Sequence, residues 1–221
     1  MPEWQIRVVG DAAVIVEFEP RIDPVINARV VALAARVRAA RHPGVRDVVP
    51  SYCAVTVYFD PLRTDLDRLW AALEGVADRP VGEAGEEREI VVSVRYGGAA
   101  GPDLAEVAAF AGCSTDEVVR RHTVPRYRVY MVGFLPGFPY LGTVDARIAM
   151  PRRSSPRLSV PAGSVGIAGG QTGIYPIAAP GGWRLIGRAD VHPFDAEREP
   201  PSLFCPGDVV RFEAASMEGG R

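Results

Sequence analysis

The chain has 221 residues, of which 48% are hydrophobic and 24% charged, and its formal net charge is −2. This balance is typical of a globular protein and lacks the basic excess of nucleic-acid-binding domains. All 25 of the Lys and Arg residues are Arg. A Schiff-base lysine and the lysine of a phosphate-binding loop are therefore excluded, and any anion site must use arginine or backbone N–H groups.

Cysteine and histidine are too scattered to predict a disulfide framework or a metal site. The three cysteines are Cys53, Cys113 and Cys205, and the three histidines are His42, His122 and His192. An odd number of widely spaced cysteines is typical of reduced thiols, so we expect a cytoplasmic protein without a zinc site. We also expect no signal peptide, because the N-terminus lacks a basic segment followed by an apolar one, and no membrane span, because no apolar run approaches about 18 residues.

Residues 1–80 predict a small α+β sandwich domain. Strands are predicted over 6–9, 13–18, 45–49 and 55–59, and Gly10-Asp11 is a hairpin signal between the first two. Asp23 and Pro24 predict the start of a first helix, which Pro43-Gly44 ends, and Thr64 is the predicted cap of a second. The order strand, strand, helix occurs twice, so we expect both helices on one face of a small sheet.

Residues 81–88 are rich in glycine and acids and predict a linker, which separates this domain from a β-rich domain over 89–221. In that second domain a strand is followed by two short helices, and Ser114 with Glu117 forms a capping box for the second helix. Further strands are predicted over 127–134, 165–168, 183–187 and 209–212. Short strands separated by Gly and Pro turns indicate a closed or nearly closed β-barrel.

An aromatic loop follows the strand predicted at 127–134. Its sequence, GFLPGFPYLG, combines prolines that restrict φ with glycines that permit positive φ, so it should be stiff. Phe134, Phe138 and Tyr140 either pack onto the barrel or, together with Pro136, form the rigid wall of a ligand pocket or of a contact with another polypeptide. The residues leave both interpretations open.

An arginine cluster comes next, in the sequence PRRSSPR. It contains Arg152, Arg153 and Arg157, and guanidinium groups pair bidentately with carboxylate or phosphate. The cluster is therefore either a solvated charge run or an anion-binding wall.

A glycine-rich segment over 160–176 supplies neutral hydrogen-bonding side chains and a backbone that can form an anion nest. Those side chains are Ser164, Gln171, Thr172 and Tyr175. The segment lacks the Gly-Lys-Ser/Thr ending of a Walker loop and the Gly-x-Ser-x-Gly spacing of a nucleophile elbow. We interpret Ser164 as a binding hydroxyl rather than a nucleophile.

Arg184 and Arg188 lie four apart in a predicted strand, so we expect them on the same face. His192 has no recognisable carboxylate partner, and we interpret it as structural. No nucleophile–base pair is evident, so catalytic residues are not assigned, and a site of this kind usually needs residues of a partner. The candidate ligand-binding residues are Phe134, Pro136, Phe138, Tyr140, Arg152, Arg153, Arg157, Ser164, Gln171, Thr172, Tyr175 and Arg188.

Four ordered motifs, GFLPGFPYLG, PRRSSPR, VPAGSVGIAGGQTGIYP and PGGWRLIGR, resemble the hallmark of one family. It is known as the 5-oxoprolinase B subunit, allophanate hydrolase subunit 1 or KipI. GDAAVIVEF, VPSYCAVTVYFDP and PGDVVRF also resemble that family, so the resemblance covers nearly the whole chain. It implies a small α+β domain followed by a cyclophilin-like β-barrel, in agreement with the domains predicted from the residues.

The resemblance further implies a non-autonomous component of an enzyme that uses ATP, with Mg, to open 5-oxo-L-proline to L-glutamate. The implied partners are the 5-oxoprolinase C subunit, also called allophanate hydrolase subunit 2, and the A subunit, which takes the cyclic substrate. The assembly is similar to the carboxyltransferase part of urea carboxylase. Two other functions stay open. One is a regulatory protein that inhibits a sensor histidine kinase, and the other is a component of an allophanate- or urea-type amide-processing complex.

Overall fold

The computed structural model describes residues 4–79 and 87–215, and the chain divides into two compact units, residues 1–86 and 87–221. Most of the predicted linker, residues 81–86, lies outside the described residues. The first unit contains β1 (Trp4–Val8), β2 (Ala13–Phe18), α1 (Pro24–Ala40), β3 (Val45–Pro50), β4 (Ala54–Phe59) and α2 (Leu66–Ala77). No helix in the described part of the chain is long and apolar enough to cross a bilayer.

The first unit is a four-stranded antiparallel sheet in the order β1-β2-β4-β3 with two helices packed on it. Alternate residues of the central strands face the helices, and Val14, Val16, Val55 and Val57 are fully buried there. The apolar stripes of α1 and α2 complete the same core. The α+β sandwich predicted from the hydrophobic spacing is confirmed.

Of the two helix caps predicted in the first unit, one is confirmed and one is wrong. Asp23 caps α1 as predicted, with its carboxylate accepting from two backbone N–H groups of the first turn. The cap of α2 is Asp65, whose carboxylate accepts from Arg68 N–H at 3.1 Å. Thr64 was the wrong residue, because its hydroxyl donates to the Pro43 carbonyl at 3.2 Å and a carboxylate stands one position later.

The second unit is built on a closed barrel of seven strands in the order β10-β7-β6-β13-β5-β12-β9. Its elements are β5 (Glu89–Tyr96), α3 (Leu104–Ala111), α4 (Thr115–Thr123), β6 (Arg126–Val132), β7 (Pro139–Gly142), β8 (Arg157–Val160), β9 (Ser164–Ala168), β10 (Gln171–Ile174), β11 (Ala179–Gly181), β12 (Arg184–Ala189) and β13 (Val209–Ala214). The parallel pair β5–β13 sits among antiparallel neighbours, and β8 with β11 forms a separate ribbon. The predicted barrel is confirmed.

A buried polar network lies in the barrel core around His122. Its Nδ1 is 2.7 Å from the Tyr96 hydroxyl, and its Nε2 is 2.9 Å from the Thr172 hydroxyl, which donates to the Gly166 carbonyl. Because the Thr172 hydroxyl has one proton to donate, it accepts from Nε2–H, which leaves Nδ1 to accept from Tyr96. Burial lowers the pKa of His122 to about 3, so the ring is neutral near pH 7.

Candidate ligand-binding cleft

The four sequence motifs of the second unit meet at one open cleft of about 250 Å³ on the outside of the barrel. The aromatic loop, the arginine cluster, the glycine-rich segment and the start of β12 each contribute lining residues. These are Phe134, Phe138, Tyr140, Arg152, Pro156, Tyr175, Pro180, Gly181, Gly182 and Trp183. Residues as far as 49 positions apart in the sequence, from Phe134 to Trp183, therefore build a single site.

The Phe138 ring is the centre of the aromatic wall of this cleft. It is almost fully buried and meets four other rings edge to face, at centroid distances of 5.7 Å to Phe134, 4.9 Å to Tyr140, 5.2 Å to Tyr175 and 5.4 Å to Trp183. Edge-to-face pairs contribute about 0.5–1.5 kcal/mol each beyond area burial. The wall is therefore a rigid, preformed surface. The aromatic loop packs onto the barrel and also lines the cleft, and its contact with a ligand or another polypeptide stays a prediction.

Two glycines of the motifs make room for these rings. A Cβ on Gly173 would lie 2.8 Å from Cζ of Phe138, and a Cβ on Gly181 would lie 2.2 Å from the hydroxyl oxygen of Tyr175. No side chain fits at either position without moving a ring. The glycines of this region therefore have a packing role in the cleft, independent of any anion nest.

Phe134 stands at the rim of the cleft in an unusual conformation. Its φ is +70°, in the left-handed region that a phenylalanine rarely adopts, and its side chain is 61% exposed. A strained backbone that presents an apolar ring to solvent is a feature of ligand-binding and contact sites. The ring is therefore available to a bound molecule.

Arg152 is the one charged residue among the described residues that line the cleft. Its guanidinium carbon lies 5.8 Å from the Trp183 ring centroid, a cation–π contact. No residue in 4–79 or 87–215 forms an ion pair with it. Burial raises the pKa of both Tyr140 and Tyr175, although Arg152 acts in the opposite direction. Both phenols are therefore neutral hydrogen-bonding groups beside an uncompensated cation.

The other two predicted arginines do not join Arg152 in the cleft. Arg157 lies 2.7 Å and Arg153 3.4 Å from one carboxylate oxygen of Asp103, and the other oxygen accepts from Leu185 N–H at 2.7 Å. Asp103 is only 4% exposed. Arg152 is therefore the one arginine of the expected anion wall that lines the cleft, and ligand binding by Arg153 and Arg157, which pair with an internal carboxylate, stays a prediction.

The remaining candidates also lie outside the cleft lining, and ligand binding by them stays a prediction. Thr172 belongs to the His122 network in the barrel core, and Ser164 is buried where β9 begins. Pro136 is exposed in the turn before β7, and Gln171 opens β10 next to the β9–β10 turn. Arg188 is exposed on β12.

The expected common face of Arg184 and Arg188 is wrong. A bulge between Leu185 and Gly187 inserts one residue into β12, so Arg184 pairs with Ile167 but Arg188 pairs with Ser164, three positions away. Because strand residues alternate between faces, the two arginines emerge on opposite sides of the sheet. Arg184 instead bonds to Glu106 at 2.7 Å.

Sequence reasoning missed Trp183 and Asp103. Trp183 lies in the motif PGGWRLIGR. A large aromatic residue directly after two glycines is a signal that its ring packs closely onto the backbone. Asp103 carried no local signal, since its partners lie 50 to 82 positions later. No cluster of three or more potential metal-ligating His, Cys, Asp or Glu side chains occurs among the described residues.

Comparison with known proteins shows to which family the chain belongs. The family described as the carboxyltransferase domain, subdomain C and D, matches residues 4–204. A Bacillus subtilis protein named as the B subunit of 5-oxoprolinase is 41% identical over 220 residues, covering 95% of this chain and 92% of that protein. The chain belongs to the 5-oxoprolinase B subunit family. An Escherichia coli O157:H7 protein of the same name is 43% identical over 96% of both chains.

A crystal structure of the protein TTHA0988 has the same fold as this member of the 5-oxoprolinase B subunit family. The TM-score is 0.84 and the identity 40%, and the match covers 98% of this chain. This chain spans only 41% of TTHA0988. In that relative, a unit with this fold is therefore part of a much longer polypeptide.

Proposed function

We propose that the chain is the B subunit of an ATP-dependent 5-oxoprolinase that opens 5-oxo-L-proline to L-glutamate together with partner subunits. The relatives named as the B subunit of 5-oxoprolinase support this proposal through their identity over nearly the full chain. The observation that carries it furthest is the cleft, in which aromatic rings surround a single arginine without a counter-ion among the described residues.

The chemistry of the cleft fits a small ring that bears a carboxylate. The five-membered lactam ring of 5-oxoproline is flat and largely apolar on its faces, which suits packing against Phe134 and Trp183. Its carboxylate can pair with the Arg152 guanidinium, and its carbonyl oxygen can accept from the hydroxyl of Tyr140. The cleft would therefore bind and orient the substrate within the complex, alongside the A subunit that the family resemblance links to the cyclic substrate.

The cleft does not supply the acid–base chemistry of the reaction. Its described lining has phenols, one guanidinium and apolar groups, and Asp, Glu, His, Ser and Cys are absent from that lining. A lactam is a poor electrophile, and transfer of the γ-phosphoryl group of ATP to its carbonyl oxygen, with release of ADP, would create a phosphate leaving group. We assign that step to the assembled complex, with the remaining groups contributed by the partner C and A subunits. The length of TTHA0988, more than twice that of this chain, supports the need for further polypeptide.

The direct test is reconstitution. The chain is co-expressed with the proteins encoded beside its gene, and glutamate release from 5-oxo-L-proline is measured with and without ATP. We expect turnover only with ATP and all the partner proteins. Turnover by the purified single chain, or by the complex without ATP, would contradict the proposal.

The role of the cleft is tested by Arg152→Ala in the reconstituted complex. A charge-assisted hydrogen bond to a carboxylate is worth about 1.5–3 kcal/mol, so KM for 5-oxo-L-proline should rise about 10–100-fold. Arg95→Ala is the matched control, since it removes an exposed arginine of the same barrel, on β5, outside the cleft lining. Equal KM values for the Arg152→Ala and Arg95→Ala complexes would show that Arg152 in the cleft does not bind the substrate.

A further inference from the structure

Asp103 occupies an unusual position behind the cleft. It is buried at the start of α3, and its carboxylate makes no capping hydrogen bond to that helix. It binds instead to Arg157 and Arg153 on one oxygen and to the backbone N–H of Leu185 on the other. The Asp103 side chain therefore bonds to three residues that are distant from it in sequence.

These three residues belong to two segments that line the cleft, the arginine cluster and the start of β12. Arg153 directly follows Arg152, the cation of the cleft, and Leu185 follows Trp183 by two residues. A backbone bond from Arg153 N–H to the Gly182 carbonyl, at 2.8 Å, runs between the same two segments. Asp103 thus holds the arginine cluster against the start of β12. The Arg152–Trp183 contact joins the same two segments.

The charges indicate that this arrangement depends on the carboxylate. Arg153 and Arg157 together bring two positive charges to one buried Asp103, and Nε of Arg153 and Nη1 of Arg157 are buried without a hydrogen-bond partner among the described residues. Without their shared anion the two guanidinium groups would repel each other and move out into solvent. Loss of the carboxylate therefore releases the segment that carries Arg152.

We propose that Asp103 is a positioning residue that sets substrate affinity by fixing Arg152 over Trp183. This inference rests on the proposed function of the cleft. Asp103 does not line the cleft and touches no substrate, so its effect on the reaction must pass through Arg152.

The first experiment needs only the isolated chain. Trp4→Phe and Trp70→Phe leave Trp183 as the sole tryptophan, because the sequence has three. In this background Asp103→Asn should increase the quenching of Trp183 fluorescence by acrylamide, since the segment over its ring is released. Asp208→Asn is the matched control. Asp208 is also a buried carboxylate, and it accepts from Arg88 Nε at 3.0 Å and Cys205 N–H at 2.7 Å, but it does not line the cleft. Equal quenching in a folded Asp103→Asn variant and in the parent would overturn the proposal.

The second experiment is a double-mutant cycle in the reconstituted complex. Asp103→Asn alone should raise KM for 5-oxo-L-proline about tenfold with kcat little changed, as expected for lost ground-state binding. In an Arg152→Ala background the same substitution should have no further effect on KM, because the residue it positions is gone. A residue with a general structural role would lower activity additively in both backgrounds, as we expect for Asp208→Asn.

The outcomes separate this inference from the function on which it rests. If Arg152→Ala leaves KM unchanged, the cleft assignment fails, whereas the fluorescence result still decides whether Asp103 fixes the segment. If Arg152→Ala raises KM and Asp103→Asn adds to it independently, the positioning role alone is refuted. Should Asp103→Asn fail to fold, Arg157→Gln removes one of its two cations while keeping the bond to Leu185, and it should change quenching and KM in the same direction.

Discussion

Replacement of Gly173 by alanine tests whether the aromatic wall is as tightly built as the structure indicates. Gly173 lies in β10 opposite Tyr140 of β7. An added Cβ would lie 2.8 Å from Cζ of Phe138 and 2.8 Å from the carbonyl oxygen of Pro139. The oxygen belongs to a paired strand and cannot rotate away, so either the strands separate or the Phe138 ring moves.

The expected decrease in the free energy of unfolding of Gly173→Ala follows from the contacts of the Phe138 ring. Overpacking a well-filled core by one methyl group costs about 1–3 kcal/mol. A shift of Phe138 would also disturb its four edge-to-face contacts, so we expect a value in the upper part of this range. In urea unfolding followed by circular dichroism, the midpoint should fall while the slope of the free energy against urea stays unchanged.

Gly170→Ala provides the comparison, because the same methyl group placed there meets only a Thr143 methyl carbon, at 3.9 Å. Its free energy of unfolding should stay within about 0.5 kcal/mol of the parent, as is usual for substitutions away from packed features. If Gly173→Ala were as stable as Gly170→Ala, the ring of Phe138 would not occupy the space over Gly173. The account of the cleft wall would then be refuted.

Two further predictions concern the polar network of the barrel core. Thr172→Val leaves His122 Nε2–H and the Gly166 carbonyl without their shared partner, so the free energy of unfolding should fall by about 1–3 kcal/mol while KM of the complex stays constant. A KM increase equal to that of Arg152→Ala would instead make Thr172 a ligand-binding residue. For His122, the folded-state pKa of about 3 lies below its ordinary value of 6.5, so the unfolded chain takes up a proton first as pH falls. Between pH 6.5 and 3 this group should therefore lower the free energy of unfolding by up to about 1.4 kcal/mol per pH unit. Urea titrations across this range, with NMR of the His122 ring, check it; a ring that titrates near pH 6.5 contradicts it.

Apart from the cap of α2, the first unit could be predicted well because its elements carry strong local signals. Asp23 and Pro24 mark a helix start by themselves, and the alternation in β4 marks a strand with one buried face. In the barrel the signal was weaker. The strands β7, β8, β10 and β11 have three or four residues each, too few for periodicity to separate them from loops.

The candidate site was predicted in its parts but not in its assembly. The sequence indicated Arg152, Arg153 and Arg157 equally, because nothing local distinguishes three arginines in one segment. Asp103 makes the distinction, since it forms ion pairs with Arg153 and Arg157 from the start of α3, whereas Arg152 lines the cleft. Such a choice depends on tertiary contacts and cannot be read from spacing.

The role of the glycine-rich segment also depends on tertiary contacts that its sequence does not show. Its composition suggested a backbone that binds anions, but Gly173 and, just beyond the segment, Gly181 sit directly beneath the Phe138 and Tyr175 rings. Absence of a side chain has two physical uses, conformational freedom and close approach, and composition alone does not say which applies. In this cleft close approach explains both positions, so these glycines contribute shape, and the charge comes from Arg152. Under the proposed function, this rigid cleft, with one cation and no acid–base pair in its described lining, holds the substrate carboxylate while groups of another polypeptide carry out the reaction.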